Sequence, residues 1–501
     1  SGPAVINNLT IINSSGIGAH LTKGGIIGNN WSISNSGSTG LMFNEFHPRL
    51  SSVSVSNSLR RGISVLNSGN VELSDIHSSN NSAEGFLFRN SNYIEVDGKN
   101  VTCNNCTSTS DFSGMKIINS VDLQLKNTEI KYPANGLGLK ISNGNLIHPG
   151  HVVIDKLAII SNSSSHAIEF HNTSAKVNLL DISGENSGLY WSGSELDSYL
   201  NNSMFSSENT NCLYLENHQT LFSDNISFSC QFSPSVNRSI VSFSNSKFLN
   251  HTHSFKLLGS SNVSWISSSP IGNPTNIGNN ILDVRFFLKV FVVNQYSMNI
   301  PNSEISINFS EFENPKVISL PFSGFDELGP FIGKRWNSTN WSETNIVNIT
   351  CNYDNTSNST ELVSIDEDKN VYCRIDLDNQ KPYIIWDYPE DNLVTSSGSI
   401  LSFSANNSFD LDRENLIYSW QSNLDGNLSS ECDGNENGSY LIVNLEDICL
   451  SDGSHLITLL LCDSSNNCVN ETRSLVLQNS PPTLVAEVLS HESSDSGMVL
   501  L

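Results

Sequence analysis

The chain has few charged residues, few helix-favouring residues and no long apolar run. Only 15% of its 501 residues are charged, against a typical fraction of about 25%. The longest apolar runs, such as LITLLL at residues 456–461, are far shorter than the ~20 residues that a membrane-spanning helix needs. Lys and Arg number 25 against 50 Asp and Glu. This composition predicts no membrane span, and it excludes the basic surface with which nucleic-acid-binding proteins neutralise phosphates.

Uncharged polar residues dominate instead, with 67 Asn, 85 Ser and 21 Thr. Because Ala, Lys, Glu and Met are scarce, and those residues favour helices, the composition predicts an all-β protein. The net charge of −25 is concentrated in the second half: residues 1–282 carry 15 Lys and Arg against 18 Asp and Glu. A chain of this length exceeds one hydrophobic core, so we expect a near-neutral first module followed by acidic ones.

Cysteine usage predicts an oxidising compartment. The ten cysteines form five pairs of neighbours in sequence, which indicates disulfides in an exported protein. The expected pairs are Cys103 with Cys106, Cys212 with Cys230, Cys351 with Cys373, Cys432 with Cys449, and Cys462 with Cys468. The alternative for Cys103 and Cys106 is a redox or metal-binding pair.

Asn-x-Ser/Thr sequons, the acceptor motif for N-glycosylation, are also frequent. Six of them crowd one region: Asn308, Asn337, Asn340, Asn348, Asn355 and Asn358. Together with the cysteines they favour an extracellular or cell-surface glycoprotein. The chain opens without a signal peptide, so we expect a mature or excised portion of a longer protein.

Short apolar segments recur through the first half at intervals of about two dozen residues. Within each segment the first and third positions after a small anchor residue are apolar, as Ile63 and Val65 are after Gly62. That alternation predicts a strand with one buried face. The anchors are Gly18, Gly40, Gly62, Gly85, Gly114, Gly138, Ala167, Gly188, Cys212 and Ile240.

An asparagine occupies the fifth position after the anchor in seven of the ten units. These residues are Asn67, Asn90, Asn119, Asn143, Asn172, Asn217 and Asn245. An amide donates and accepts hydrogen bonds at once, so we expect these side chains to turn inward and form a ladder between successive coils.

This pattern resembles the right-handed parallel β-helix of the pectate-lyase-like superfamily. The resemblance implies about ten coils over residues 1–282. Leucine-rich repeats share the period, but their Leu-x-x-Leu-x-Leu pattern is absent.

The second half resembles two β-sandwich modules. Residues 283–379 are similar to carboxypeptidase-regulatory-like domains. Residues 380–482 resemble immunoglobulin-like domains of the polycystic-kidney-disease (PKD) type. The resemblance is carried by the acidic turn Asp410-Leu-Asp412, the strand Tyr418-Ser-Trp420, the turn Asp452-Gly453 and Asp463. Residues 483–501 look like the start of a further, truncated module.

The β-helix superfamily contains polysaccharide lyases and glycoside hydrolases, so the resemblance raises catalysis as an alternative. Hydrolysis needs two carboxylates flanking the scissile bond, but the first half contains no Asp-Asp, Asp-x-Asp or Gly-His-Gly. The weak catalytic candidates are Lys140 and Glu169.

An outward row two residues after each anchor offers a binding surface instead. It reads His20, Met42, Ser64, Leu87, Lys116, Lys140, Glu169, Tyr190 and Tyr214. With Arg89 and His171 beside it, the row from Lys116 to Tyr214 predicts a groove for an acidic glycan, in which the tyrosines stack on sugar rings. The alternative is a solvated row of surface ion pairs.

Calcium is the expected cofactor, and its site would lie in the PKD-like module. Hard cations bind several oxygen ligands, and Asp410, Asp412, Glu414 and Asp463 lie at turns that could converge. The alternative is a set of solvated acidic loops.

The function that these features favour is non-catalytic adhesion or glycan binding at a cell surface, with the sandwich modules as a stalk. Expected partners are extracellular glycans or neighbouring surface proteins. A polysaccharide lyase or hydrolase on the β-helix is one alternative. A structural subunit that assembles into a surface layer or filament is the other.

Overall fold

A computed structural model describes most of the chain. The described residues are 2–97, 100–102, 113–132, 137–143, 152–161, 166–184, 188–193, 196–249, 254–268, 271–309, 315–337, 340–342, 344–396, 400–431, 433–434, 438–444 and 450–478. Within them the chain is all-β, apart from one helical turn, α1, at Leu428–Glu431. The predicted fold class is therefore confirmed: a β-solenoid of about ten turns, followed by additional β-sheets.

The solenoid comprises 26 strands, the last of which continues into the next sheet. They are β1 (Ala4–Asn7), β2 (Thr10–Ile12), β3 (Ala19–Ser34), β4 (Leu41–Ser56), β5 (Ile63–Leu66), β6 (Gly69–Ser79), β7 (Phe86–Arg89), β8 (Asn92–Asp97), β9 (Asn100–Thr102), β10 (Ser113–Ile118), β11 (Val121–Tyr132), β12 (Leu137–Ser142), β13 (Val152–Ser161), β14 (Ile168–His171), β15 (Ala175–Ser183), β16 (Leu189–Ser192), β17 (Ser198–Asn211), β18 (Leu213–Glu216), β19 (Leu221–Phe232), β20 (Ser235–Asn237), β21 (Ile240–Ser244), β22 (Lys247–Phe248), β23 (Lys256–Leu258), β24 (Asn262–Ile266), β25 (Thr275–Ile277) and β26 (Ile281–Val293).

Successive coils stack in register and form three parallel sheets. The first sheet contains the strands that follow the anchors, among them β5, β7, β10, β12, β14, β16 and β18. The second sheet continues from β1 through β8 to β21 and β24. The third sheet is formed largely by the C-terminal halves of the long strands, such as β13 and β15.

The apolar positions of the repeat fill the solenoid interior. Ile63, Val65, Phe86 and Phe88 are buried, as the alternation predicts. A small anchor is needed because the next coil passes close by: a Cβ built on Gly62 would lie 2.6 Å from the carbonyl oxygen of Gly85.

The asparagines of the predicted ladder lie at a bend, but they do not turn inward. Six of the seven are exposed and have positive φ, between 48° and 54°; Asn143 alone is buried. Asparagine tolerates this left-handed conformation better than other residues with a Cβ. Stacking still occurs on the outside, since Asn90 Nδ2 donates to Asn67 Oδ1 at 3.1 Å. The prediction of inward amides was therefore wrong.

The inward ladder is formed by the next residue, which is usually serine. The Ser91 hydroxyl accepts a hydrogen bond from the Ser68 backbone N–H at 3.3 Å and donates to the Arg89 carbonyl at 3.1 Å. Ser120 does the same one coil later, accepting from Ser91 N–H at 3.2 Å. A buried N–H that the bend would leave unpaired is thus satisfied. The recurrent Asn-Ser pair combines a left-handed bend with an inward hydroxyl.

A second bend, between the second and third sheets, carries its own outward amides. Asn225 Nδ2 donates to Asn202 Oδ1 at 2.9 Å, and Asn245 Nδ2 donates to Asp224 Oδ1 at 2.8 Å. Asn245 therefore belongs to this column and not to that of Asn67. The tenth repeat unit was misplaced: Ile240–Ser244 pairs with β19 in the second sheet, and β20 continues the first sheet.

The sheets beyond the solenoid start from β26, whose first half pairs with β24 and whose second half pairs with β33. The strands of this region are β27 (Glu304–Asn308), β28 (Lys316–Ser319), β29 (Phe325–Asn337), β30 (Ile346–Tyr353), β31 (Thr356–Ser359), β32 (Val363–Ser364) and β33 (Lys369–Arg374). Their buried side chains, between Leu288 and Leu377, form a second hydrophobic cluster that also includes Leu411.

A third hydrophobic cluster spans Trp386 to Leu477. Its strands are β34 (Leu393–Ser396), β35 (Ile400–Ser404), β36 (Ile417–Ser422), β37 (Gly426–Asn427), β38 (Asp433–Gly434), β39 (Tyr440–Asn444), β40 (Gly453–Cys462) and β41 (Cys468–Gln478). Trp420 lies on β36 and is fully buried. The domain boundaries at 282, 379 and 482 stay predictions, and the module expected at 483–501 lies outside the described residues.

Three of the five predicted cysteine pairs lie at disulfide distance: Cys212 with Cys230, Cys351 with Cys373, and Cys462 with Cys468. The other two predicted pairs, Cys103 with Cys106 and Cys432 with Cys449, lie outside the described residues.

Candidate functional site

The outward row of the first sheet stacks coil upon coil. Lys116 pairs with Lys140, Lys140 with Glu169, Glu169 with Tyr190, and Tyr190 with Tyr214. Parallel strands lie about 4.8 Å apart, so each side chain lies beside that of the next coil. These five residues are half-buried. They form one surface, which we call the tyrosine face, together with His171 and Glu216.

The two coils before Lys116 in the same row are not open to a ligand. Ser64 and Leu87 are 1% and 2% exposed, although they occupy the outward position. Arg89 is exposed but stands beside Ile118, and two coils separate its strand from that of His171. Arg89 therefore lies one coil before Lys116, at the edge of the tyrosine face and away from His171.

Three charged or titratable side chains converge at one end of this face. Lys140 Nζ and His171 Nε2 each lie 3.0 Å from Glu169 Oε2. The hydrogen bond from His171, together with that from Lys140, lowers the pKa of Glu169 to about 2, against the effect of burial. Glu169 is therefore ionised at neutral pH, and it neutralises Lys140.

The two tyrosines form a stacked pair next to this cluster. The ring centroids of Tyr190 and Tyr214 are 5.3 Å apart with an interplanar angle of 15°. The Tyr190 hydroxyl donates to Glu216 Oε2 at 2.6 Å, while Asn237 Nδ2 donates to Glu216 Oε1 at 2.9 Å. Burial and the contact with Glu216 raise the pKa of Tyr190. Both carboxylates thus lie beside Tyr190: Glu169 is its neighbour in the row, and Glu216 contacts its hydroxyl.

Two histidines complete the face. The rings of His166 and His171 lie 5.6 and 5.2 Å from the Tyr190 ring. Burial lowers the pKa of His166. Sequence reasoning missed Glu216. It lies four residues after the anchor Cys212, as His171 lies four residues after the anchor Ala167. This shared position would have been the signal.

The pairing of Lys140 with Glu169 bears on catalysis. A general acid must be protonated near the working pH, and a lysine that acts as a general base must be deprotonated there. Glu169 has a pKa of about 2, and Lys140 donates to it. This arrangement orients and neutralises the two side chains, and their role in catalysis stays a prediction.

The four acids proposed for calcium have protein donors. Asp410 Oδ1 accepts from the Asp412 and Glu414 backbone N–H groups, and Asp463 accepts from Ser465 and Asn467. Glu414 accepts from the hydroxyls of Ser464 and Ser465, and Asp412 accepts from Gln380 N–H. Over the described part of the chain, no three His, Cys, Asp or Glu side chains group to hold a metal ion. Calcium binding stays a prediction.

The six crowded sequons lie beyond the solenoid. Asn308, Asn337, Asn340, Asn355 and Asn358 are exposed, and Asn348 is half-buried. Asn358 Nδ2, the atom that would carry a glycan, donates to the Arg374 carbonyl at 2.8 Å. Their glycosylation stays a prediction.

The described residues contain no helix long and apolar enough to span a membrane. This finding and the three cysteine pairs are compatible with an extracellular protein.

Comparisons with known proteins do not assign a family. No protein-family model and no curated protein matches the chain. Solved structures with local similarity include the Bacillus anthracis TIE protein, at 9% identity over 40% of this chain, the insect immune protein hemolin, at 11% over 40%, and BcpA, the major pilin subunit of Bacillus cereus, at 7% over 38%. The matches span 34%, 55% and 69% of those chains, each with a TM-score of 0.15.

Proposed function

We propose that the chain is part of an extracellular surface protein that binds glycans through the tyrosine face of the solenoid. The observation that carries the proposal is the stacked pair Tyr190 and Tyr214, with the carboxylates of Glu169 and Glu216 beside Tyr190. Sugar rings present apolar C–H faces that pack on aromatic rings. Carboxylates accept hydrogen bonds from sugar hydroxyls, and such charge-assisted bonds are among the stronger ones.

The charges of the tyrosine face favour a neutral glycan over an acidic one. The acidic ligand expected from the sequence relied on Lys140 as a cation. Because Lys140 is paired with Glu169, and Glu216 contacts the Tyr190 hydroxyl, an acidic sugar stacked on the rings would meet these two carboxylates. A neutral oligosaccharide meets hydrogen-bond acceptors and no repulsion.

Removal of one ring tests the proposal. Tyr190→Ala and Tyr214→Ala are each expected to weaken binding to neutral oligosaccharides identified on a glycan array by about tenfold, as the loss of one stacked ring predicts. Tyr190→Phe, which keeps the ring, is expected to lose less. Tyr372→Ala, at an exposed tyrosine beyond the solenoid, is the control.

Two outcomes favour the alternatives. A reducing-end assay that detects cleavage of a polysaccharide, lost in Lys140→Ala or Glu169→Ala, would replace binding by catalysis. An array without any bound glycan, together with concentration-dependent assembly in ultracentrifugation, would favour a structural subunit of a surface layer or filament.

A further inference from the structure

The two coils that carry Tyr190 and Tyr214 present a second stacked ring pair on another face. Tyr199 on β17 pairs with Phe222 on β19 in the second sheet. Their ring centroids are 5.5 Å apart and the interplanar angle is 24°. Phe222 is 42% exposed, which is a large apolar surface to leave in water.

Lysine 176 extends this row by one coil. It pairs with Tyr199 in register, and its ammonium group lies 5.8 Å from the centre of the Tyr199 ring. Within the described residues Lys176 makes this ring contact and no ion pair. Lys126 and Lys140, in contrast, are paired with Glu95 and Glu169. An exposed cation beside an aromatic pair is suited to a ligand that is both apolar on one face and negatively charged.

Two acids on this face, Asp155 and Asp224, have partners other than Lys176. Asp224, two residues after Phe222, accepts from Ser244 Oγ and Asn245 Nδ2, both at 2.8 Å. Asp155 accepts from Asn178 Nδ2 at 3.0 Å. Within the described residues neither acid pairs with Lys176, whose ammonium is therefore the cation offered to an anionic ligand.

We propose that Lys176, Tyr199 and Phe222 form a second carbohydrate-binding surface, whose ligand is an oligosaccharide with carboxylate groups. The sugar rings stack on Phe222 and Tyr199, and a carboxylate pairs with Lys176. The tyrosine face lacks an equivalent of this lysine beside its rings, because Lys140 is paired with Glu169. One pair of coils therefore binds two different classes of sugar on two faces.

A charged probe and its neutral counterpart test this assignment. The probe is a tetrasaccharide that contains glucuronate, and the counterpart is its methyl ester, measured by calorimetry at low salt. We expect the acid to bind at least about tenfold more tightly than the ester. Phe222→Ala and Lys176→Met are each expected to weaken the acid about tenfold, and Tyr372→Ala, at an exposed tyrosine beyond the solenoid, is expected to leave it unchanged.

Three results would overturn the proposal. They are equal affinity for acid and ester, wild-type affinity in both Phe222→Ala and Lys176→Met, or loss of binding in Tyr372→Ala. Thermal unfolding of each variant checks that the solenoid is intact. Tyr199→Leu removes the other ring of the pair. The tyrosine face is tested with neutral glycans, so either proposal can fail alone.

Discussion

His218 shows how one residue can depart from the inward ladder. It follows Asn217 at the position that serine occupies in neighbouring coils, and its own backbone N–H donates to Ser239 Oγ at 3.0 Å. The ring is 2% exposed, packs edge-on against Trp191, and has Nε2 3.1 Å from the Trp191 carbonyl. Burial lowers the pKa of His218 to about 4, because a charged imidazole is disfavoured in this apolar site.

The free energy of unfolding should therefore fall when the pH drops below the pKa of a histidine in the unfolded chain. Because the pKa of His218 is lower in the folded protein, its contribution to stability is complete above the unfolded-state pKa of 6.5. That contribution decreases as the pH falls towards 4. We expect a loss of about 3 kcal/mol over this window. Urea unfolding at pH 7 and pH 4 would measure it. His218→Gln, which keeps a neutral donor, should reduce the pH dependence by about the amount that His218 contributes, and an unchanged dependence would contradict the assignment.

At the scale of the element, the repeat depends on small anchors and on the Asn-Ser bend. Gly62 permits the close approach of the next coil: a Cβ there would lie 2.6 Å from the Gly85 carbonyl oxygen and 2.7 Å from Asn81 Nδ2. Backbone atoms of a stacked coil cannot move without disturbing the whole ladder. The apolar strand and its anchor are therefore one unit.

Gly62→Ala should destabilise the solenoid by roughly 1–3 kcal/mol, the usual cost of overpacking a close-packed interior. Gly16→Ala is the matched control, since a Cβ on Gly16 would have no heavy atom within 4 Å. Chemical denaturation of both variants gives the two values. Equal effects at the two positions would show that the close approach of the next coil is not the reason for glycine at position 62.

At the scale of the molecule, β26 joins the solenoid to the sheets that follow. Its first half is the last solenoid strand, and it pairs antiparallel with β29 throughout. Asp283 is 2% exposed at this junction, with Arg335 Nε 2.6 Å from Oδ1 and Arg285 Nη2 3.0 Å from Oδ2. The buried carboxylate thus depends on two guanidinium groups from the two strands.

Arg335→Met should weaken the junction by about 2 kcal/mol, because it leaves a buried carboxylate with one of its two cationic partners. We expect a lower unfolding midpoint and faster proteolysis between β26 and β29. Lys316→Met, at an exposed lysine of β28, serves as the control. If both variants matched the wild type, the ion pairs would not contribute to the junction.

Much of the fold could be predicted from the sequence, and less of the candidate site. Alternation of apolar residues such as Ile63 and Val65 predicts strands and their buried faces, and the spacing of the anchors predicts the register from Lys116 to Tyr214. The roles of Ser91 and Ser120 could not be inferred, because their partners are backbone groups of another coil. The ion pair between Lys140 and Glu169, which neutralises the lysine on the tyrosine face, also could not be predicted, because it depends on side-chain positions.

The sequence by itself determined an all-β solenoid, because composition and period-2 apolar segments depend on nothing beyond neighbours along the chain. Only the tertiary structure decided which sheet a segment joins. Ile240 has the pattern of a first-sheet strand, yet it lies in the second sheet, because the connecting segments differ in length from coil to coil. The outward turn of Asn67 and the pairing of Tyr199 with Phe222 were decided in the same way, since both depend on coils about two dozen residues apart meeting in space.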